Sequence, residues 1–160
     1  LWYNDTVGDT LIARSHETED NVIPSTNSIM ATNLFRLARA LGNSEWESRA
    51  IEMTTNALTQ AERYPEGYTQ WANVAMDIKG PFREVVVSGP NAAEEAFQLQ
   101  KYYLPNSIVL ASVSESELPP FENRYLEDAT RIFVCEERTC QLPVDRITDA
   151  LKLLPIQIEP

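Results

Sequence analysis

Two cysteines are the side chains of this 160-residue sequence with the best-defined potential for covalent chemistry. Four residues separate Cys135 from Cys140, and the apolar residues around them predict two strands joined by a hairpin loop. We therefore expect the two Cα atoms to lie within about 7 Å of each other, the upper limit for bridging. Two free buried thiols, a structural disulfide and a redox-active pair all fit this geometry. We favour the free thiols, because cytosolic thiols seldom pair.

Residues suited to metal or nucleotide chemistry are sparse. Two cysteines without a nearby histidine or a second cysteine pair fall short of the four ligands of a zinc site. The single histidine, His16, has no partner at the spacing of a triad or a metal site, so we interpret it as a solvated loop residue. Gly89 follows an apolar run, but no further glycines complete a nucleotide motif. We predict neither a metal nor a cofactor.

A polar loop before the first long helix carries the second group of candidates. Carboxylates, amides and a hydroxyl at a helix N-terminus could hold a hydroxyl-rich ligand or an anion, and paired acids act on glycosidic bonds. The candidate binding residues are Glu17, Asp20, Asn21, Asn27 and Ser28. The competing interpretation, which we favour, is that these side chains cap the helix and bond to their own backbone.

Aromatic residues in the first half form a third group. Planar aromatic rings could line a sugar-binding face, although aromatic residues at helical spacing more often belong to the core, and we favour the core. The four residues are Trp46, Tyr64, Tyr68 and Trp71.

Charge and composition restrict the partners of the chain. The formal net charge is −11, with 24 acidic and 13 basic residues, which disfavours binding to nucleic acid and to anionic membranes. A hydrophobic content of 43% is typical of a globular protein, and no apolar run approaches the roughly 20 residues that cross a bilayer. We expect a cytoplasmic protein, with the reservation that the sequence begins at Leu1 without an initiator methionine.

Apolar periodicity predicts that the first half is mainly helical. A β-hairpin is predicted over residues 1–13, around a turn rich in glycine and aspartate. Helices are predicted over residues 28–41, ending at Gly42, and over residues 44–62, capped by Ser44. A third helix then ends at a Gly-Pro pair. The expected apolar stripe of the first helix is Ile29, Met30, Leu34, Leu37, Ala38 and Leu41.

The second half predicts a β-α-β-β-β-α order. Strands over residues 84–88 and 107–111, joined by a helix over residues 92–103, form a βαβ unit with parallel strands. A hairpin at residues 132–142 and a last helix capped by Asp145 follow. The residues of the connecting helix expected to face inward are Ala93, Ala96, Phe97 and Leu104.

The predicted fold class is α+β, with a mainly helical domain over residues 1–80 and a small α/β domain over residues 81–160. The second domain has the element order of a thioredoxin-like fold that lacks the helix after its second strand. In such a fold the redox cysteines lie at the start of the helix after the first strand. Residues 89–92 occupy this position and contain no cysteine, so we predict a redox-inactive scaffold.

Three segments carry a family resemblance. The run DNVIPSTNS at residues 20–28 resembles the Pro-Ser-x-Asn-Ser loop of thioredoxin-domain-containing proteins of the spermatogenesis-associated protein 20 type. The run IFVCEERTCQLPV at residues 132–144 is similar to the aromatic-Val-Cys-x4-Cys-x-x-Pro-Val segment of that family. YLPN at residues 103–106 also fits, and the three matches keep their order along the chain.

The resemblance implies a larger protein, in which a thioredoxin-like domain precedes an (α/α) toroid similar to sugar epimerases and six-hairpin glycosidases. This chain would be its C-terminal part, with helices from the end of the toroid and no catalysis of its own. The implied partners are the upstream domains and a second copy bound through an exposed helical face. Alternatives are that residues 17–28 contribute to a carbohydrate-active site, or that the chain is a protein interaction module. Whether the whole protein is a carbohydrate-active or thiol-redox enzyme stays open.

Overall fold

A computed structural model describes residues 17–154 of the chain. The described residues form a mixed α+β structure with five α-helices, one short 3-10 helix and one four-stranded sheet, in agreement with the predicted class. The hairpin predicted at residues 1–13, His16 and the residues after 154 lie outside the described part. None of the described helices is long and apolar enough to span a bilayer.

The described chain divides into two compact units. The first comprises residues 17–38 and 43–78, and the second comprises Arg39–Gly42 and residues 79–154. The domains proposed from the sequence, residues 1–80 and 81–160, stay a prediction, because compactness does not test independent folding.

Helix α1 (Thr26–Leu41) buries a different face from the one that the apolar stripe predicted. Its buried residues are Asn27, Ser28, Ala31, Phe35 and Ala38, whereas Ile29, Leu37 and Leu41 are exposed. The stripe prediction was wrong at these three exposed positions and confirmed at Ala38. It counted only apolar residues, whereas the polar Asn27 and Ser28 turn inward to bond with the preceding loop. Gly42 ends α1 as predicted, with a φ of 67°. The Asn43 N–H donates to the Ala38 carbonyl at 3.0 Å, as in a Schellman motif.

Helix α2 (Ser44–Ala61) begins at an asparagine cap. The Asn43 Oδ1 accepts a hydrogen bond from the Trp46 N–H at 3.1 Å, so the predicted cap at Ser44 was wrong by one residue. A 3-10 helix (Pro65–Tyr68) leads directly into α3 (Thr69–Lys79). Helix α3 confirms the third predicted helix, which was expected to end at the Gly-Pro pair. The core of the first unit contains Ala31, Ala57, Tyr68, Trp71 and Val74.

The second unit is built on a sheet with strand order β2-β1-β3-β4. Strand β1 (Arg83–Ser88) pairs in parallel with β2 (Ser107–Ser112), and α4 (Ala92–Leu99) connects them, which confirms the βαβ prediction. Strand β3 (Arg131–Glu136) is antiparallel to β1 and to β4 (Thr139–Cys140), which confirms the hairpin. Val85, Val87, Ile132 and Val134 are buried in one core cluster with residues of α4 and α5.

Two details of the second unit differ from the expectations. Helix α4 buries Ala92, Ala96 and Leu99, while Phe97 is 59% exposed with the Lys101 Nζ 5.1 Å from its ring centroid. The predicted inner face was therefore rotated by about one residue. Helix α5 (Ile147–Lys152) has Arg146 at its N-cap position, so Asp145 is not the cap.

Candidate functional site

A cleft of about 910 Å³ opens on the first unit. Its walls come from the loop at residues 17–21, from one face of α2, and from the segment that contains the 3-10 helix and the start of α3. Four of the five candidate binding residues line the cleft: Glu17, Asp20, Asn21 and Asn27. The fifth, Ser28, is fully buried in α1.

Asp20 organises the loop. Its Oδ1 accepts hydrogen bonds from the Ser25 N–H at 2.9 Å and the Ser28 hydroxyl at 2.8 Å, and its Oδ2 accepts from the Gln70 N–H at 2.8 Å. Its own N–H donates to the Gly67 carbonyl at 2.7 Å. The carboxylate therefore satisfies N–H groups at the starts of both α1 and α3, which is a capping role.

Neighbouring polar side chains complete this network. The Ser25 hydroxyl accepts from the Ser28 N–H at 3.1 Å, while the Asn27 amide nitrogen donates to the Glu17 carbonyl at 2.6 Å. The geometry thus favours the capping interpretation for Asp20 and Ser28, which sequence reasoning had preferred. Glu17 and Asn21 also line the cleft, and the Asn21 Oδ1 accepts a hydrogen bond from the Val22 N–H at 2.9 Å.

Three of the four aromatic residues singled out from the sequence meet at this cleft. Trp71 is 1% exposed and donates its Nε1–H to the Thr18 carbonyl at 2.7 Å, so this hydrogen bond anchors the loop to α3. Tyr64, by contrast, is 53% exposed. Trp46 lies on α2 outside the lining.

The Tyr64 ring is held by a glycine. A Cβ atom added at Gly67 would lie 2.6 Å from the Tyr64 Cδ1 and Cε1 atoms, so the ring packs directly on the glycine backbone. One side of the ring is fixed while much of the side chain stays accessible, which makes it a pre-positioned aromatic platform.

Three polar residues of α2, Arg49, Asn56 and Gln60, were not predicted as site residues. They line the cleft together with Met53, and the four residues follow one another at steps of four, three and four, so they share one helix face. This spacing was readable, but polar residues on one helix face usually mark a solvated surface. Only their placement opposite the loop identifies them as part of a site.

The phenol of Tyr68, which lines the cleft, has a raised pKa. Burial raises the pKa of Tyr68 above its ordinary value of 10.0, and the carboxylates of Glu19 and Asp20 raise it further. The phenol is therefore neutral at physiological pH and retains its proton as a donor. With amides, carboxylates and an exposed ring, the cleft can bind a hydroxyl-rich ligand.

The cysteine pair belongs to the second unit, whereas the cleft belongs to the first. Cys135 and Cys140 face each other in register on β3 and β4, and their Cα atoms are 3.9 Å apart, as the hairpin predicted. They form a disulfide, so the favoured interpretation of two free thiols was wrong. The turn is tighter than expected, because Glu136 pairs with Thr139 and only Glu137 and Arg138 remain in the loop. This close pairing brings the two sulfurs within bonding distance.

Comparison with known proteins points in the same direction as the three matching segments. No family model matches the chain, and no solved structure matches it. The chain is 25% identical to spermatogenesis-associated protein 20 of Homo sapiens and of Rattus norvegicus, and 24% identical to that of Mus musculus. Each match covers 92% of this chain but 20% of the relative, so the chain spans about a fifth of their length. These relatives support a distant relationship between this chain and spermatogenesis-associated protein 20.

Proposed function

We propose that this chain is a binding portion of a larger protein, without catalysis of its own, and that the cleft of its first unit binds a carbohydrate or a similar polyhydroxyl compound. The observation that carries the proposal is the exposed Tyr64 ring, packed on Gly67, in one cleft with Asn56 and Gln60. An aromatic plane contributes apolar contact area to a sugar ring, and amides bond its hydroxyls in both directions.

The carboxylates of the cleft support binding more than independent catalysis. Asp20 accepts three hydrogen bonds from protein groups, so it has a structural task. Glu17 and Glu19 border the cleft and can accept hydrogen bonds from ligand hydroxyls. Acting together with groups from elsewhere in a longer polypeptide, the same two residues would form one side of a carbohydrate-active site, which is the second candidate function.

Binding of short neutral oligosaccharides, followed by ligand-induced NMR shifts or calorimetry, tests the proposal. The Tyr64→Ala variant should lose binding by several-fold to about tenfold, because an aromatic ring contact contributes roughly 0.5–1.5 kcal/mol beyond its area burial. Tyr64→Phe should retain most of it. The control is Tyr103→Ala, since Tyr103 is 59% exposed and lies in the other unit.

A panel of oligosaccharides that shifts no cleft resonance would refute the proposal. Glu17→Gln and Glu19→Gln separate the two candidate functions. Unchanged binding with a loss of turnover in the longer protein would favour the carbohydrate-active site. Reduced binding without any turnover would favour a binding site.

Exposed apolar side chains in the loop and first helix of the first unit favour protein interaction as a further role. Val22, Ile23, Ile29 and Leu37 are 96%, 73%, 41% and 48% exposed. We propose that the rest of a longer polypeptide covers them, because the relatives are about five times as long as this chain. A monodisperse dimer in sedimentation, abolished by Leu37→Glu, would instead identify a second copy as the partner.

The strand order β2-β1-β3-β4, with β1 parallel to β2 and antiparallel to β3, also supports a thioredoxin-like origin for the second unit. We propose that the second unit keeps a thioredoxin-like scaffold without its redox function. Residues 89–92, at the start of α4, contain no cysteine and hence no redox centre in the position such a fold uses.

A further inference from the structure

The disulfide of the second unit opens onto a small charged pocket. The pocket has a volume of about 200 Å³, and both Cys135 and Cys140 line it. Its other polar lining residues are Arg39, Glu84, Arg124 and Arg138, three cations to one carboxylate. Cys135 is 2% exposed, whereas Cys140 is half-buried, so the second sulfur is the more accessible.

Arg124 contacts both sulfur atoms. Its Nη1 lies 3.6 Å from the Cys135 Sγ, and its Nη2 lies 3.1 Å from the Cys140 Sγ. The guanidinium carbon is 4.8 Å from the centroid of the Phe133 ring, which fixes the group by a cation–π contact. Partial burial lowers the pKa of Arg124, and Glu84 opposes that effect, yet an arginine keeps its charge in any protein environment.

A neutral disulfide stabilises the charge of Arg124 only weakly. Disulfide sulfur is a weak acceptor, so the two sulfur contacts add little to the attraction of Glu84 in offsetting the partial burial of the cation. A thiolate in the same place would be a strong partner, since a neighbouring arginine favours the charged form of a cysteine. The arrangement matches the reduced state of the pair better than the oxidised state.

We propose that Cys135–Cys140 is a thiol–disulfide exchange site that is reduced by a dithiol, with Arg124 as the residue that stabilises the thiolates formed. This site is independent of the carbohydrate cleft. It also differs in position from the start of α4, where a thioredoxin-like fold would carry its cysteines.

The exchange proceeds in two balanced steps. A thiolate of the dithiol attacks the Cys140 Sγ, a new S–S bond forms, and the Cys135–Cys140 bond breaks with its electron pair on the Cys135 Sγ, beside the Arg124 Nη1. The second thiol of the reductant loses its proton to solvent and attacks its own partner sulfur in the mixed disulfide. The Cys140 thiolate leaves beside the Arg124 Nη2. The dithiol becomes a disulfide, and the two protein thiolates take up two protons from solvent.

Dithiothreitol and iodoacetamide test the proposal on the folded chain. Millimolar dithiothreitol should reduce the native disulfide, and alkylation of the reduced protein should reach half its maximal rate at a pH below about 8.5, the ordinary value for cysteine. Arg124→Leu should move this midpoint upward by about one pH unit and slow reduction by about tenfold. The matched control, Arg146→Leu, removes an exposed arginine outside the pocket and should leave both measurements unchanged.

Two results would overturn the proposal. One is a wild-type alkylation midpoint at or above that of free cysteine, which needs no variant. The other is a folded Arg124→Leu protein, verified by circular dichroism, with the wild-type midpoint and rate. If Arg124→Leu does not fold, Arg124→Gln replaces it in the same comparison.

Single cysteine variants assign the roles of the two sulfurs. With Cys135→Ser, the remaining Cys140 should react quickly with 5,5′-dithiobis(2-nitrobenzoate). With Cys140→Ser, the remaining Cys135 should react several-fold more slowly, because it is nearly fully buried. Equal rates would contradict the assignment of Cys140 as the attacked sulfur.

Discussion

The two candidate sites of this chain are assembled by different means. The cleft of the first unit depends on side chains of a loop that bond to backbone groups far away in sequence, such as Asp20 with the Gln70 N–H. The disulfide pocket of the second unit depends on backbone pairing between strands, reinforced by a covalent bond. The first kind of site is sensitive to side-chain polarity, and the second to backbone conformation and space. Substitutions can separate the two dependences.

The largest expected effect tests backbone space in the second unit. Gly89 has a φ of 135°, and an added Cβ would lie 2.3 Å from the Ala129 carbonyl oxygen and 2.5 Å from the Thr130 Cα. Gly89→Ala should therefore destabilise the protein by about 3 kcal/mol in urea denaturation, from strain and overpacking together. Hydrogen exchange should show the loss first in β1 and β3.

Gly42→Ala is the graded control for that variant. Gly42 also has a positive φ, 67°, but its nearest added contact would be an ordinary 3.5 Å to Pro119. It should cost about 1 kcal/mol, the left-handed penalty alone. Equal costs for the two glycines would show that space is not the limiting factor at Gly89.

The next largest effect tests side-chain polarity in the first unit. Asp20→Asn keeps the shape of the side chain but turns one acceptor oxygen into a donor facing an N–H or O–H group. We expect a loss of about 2 kcal/mol, as for a buried hydrogen bond to a charged group. Glu19→Gln, one residue away on the surface, should change stability by less than about 0.5 kcal/mol. A tolerant Asp20→Asn would mean that the loop is held by other contacts.

A pair of asparagines compares helix capping in the two units. The Asn43 side chain caps α2, whereas Asn91 stands at the N-cap of α4 without a side-chain cap bond within the described structure. Asn43→Ala should cost about 1 kcal/mol in thermal or urea unfolding. Asn91→Ala should cost less than about 0.5 kcal/mol. A reversed order would contradict the view that side-chain capping belongs to the first unit.

The smallest effect concerns pH. Burial raises the pKa of Asp77 above 3.8, although Arg36, 3.2 Å away, opposes the shift. Because the folded pKa exceeds the unfolded one, the folded state binds more protons between these two values. Stability therefore falls as the pH rises through that window.

Asp77→Asn should remove this part of the pH dependence, measured as the urea midpoint at a series of pH values above 3.8. Little is lost with the ion pair, since the Arg36 side chain is 46% exposed. A variant with the wild-type pH profile would show that Asp77 titrates normally in the folded protein.

The sheet unit was predictable to a larger extent than the cleft. Strands such as β1, with its run of Val85, Val86 and Val87, are predicted by their local β-branched sequence. The helix between β1 and β2 then predicts that these two strands pair in parallel. The cysteine hairpin followed from the short loop alone. The disulfide did not, because spacing does not determine oxidation state.

The cleft could be predicted only in part, for a physical reason. Asp20 and Asn27 were identified as candidates, but their partners depend on contacts with residues such as Gly67 and Gln70, which sequence periodicity does not encode. The buried face of α1 also differs from its apolar stripe, because Asn27 and Ser28 bond inward to the preceding loop. Gln60 and Asn56 became site residues only through the position of the loop.

The second unit contains Arg39–Gly42, the segment at the end of α1, and this limits where the chain can be truncated. Arg39 belongs to the second unit, and its Nε lies 2.7 Å from the Glu84 Oε1, with both side chains less than 10% exposed. A fragment that starts at residue 79 would contain every strand of the sheet but would lack Arg39, the ion-pair partner of the Glu84 carboxylate. If this fragment failed to fold, the failure would not test whether the sheet is stable when Arg39 is present. A truncation for expression should either begin ahead of α1 or replace Glu84 by a neutral residue.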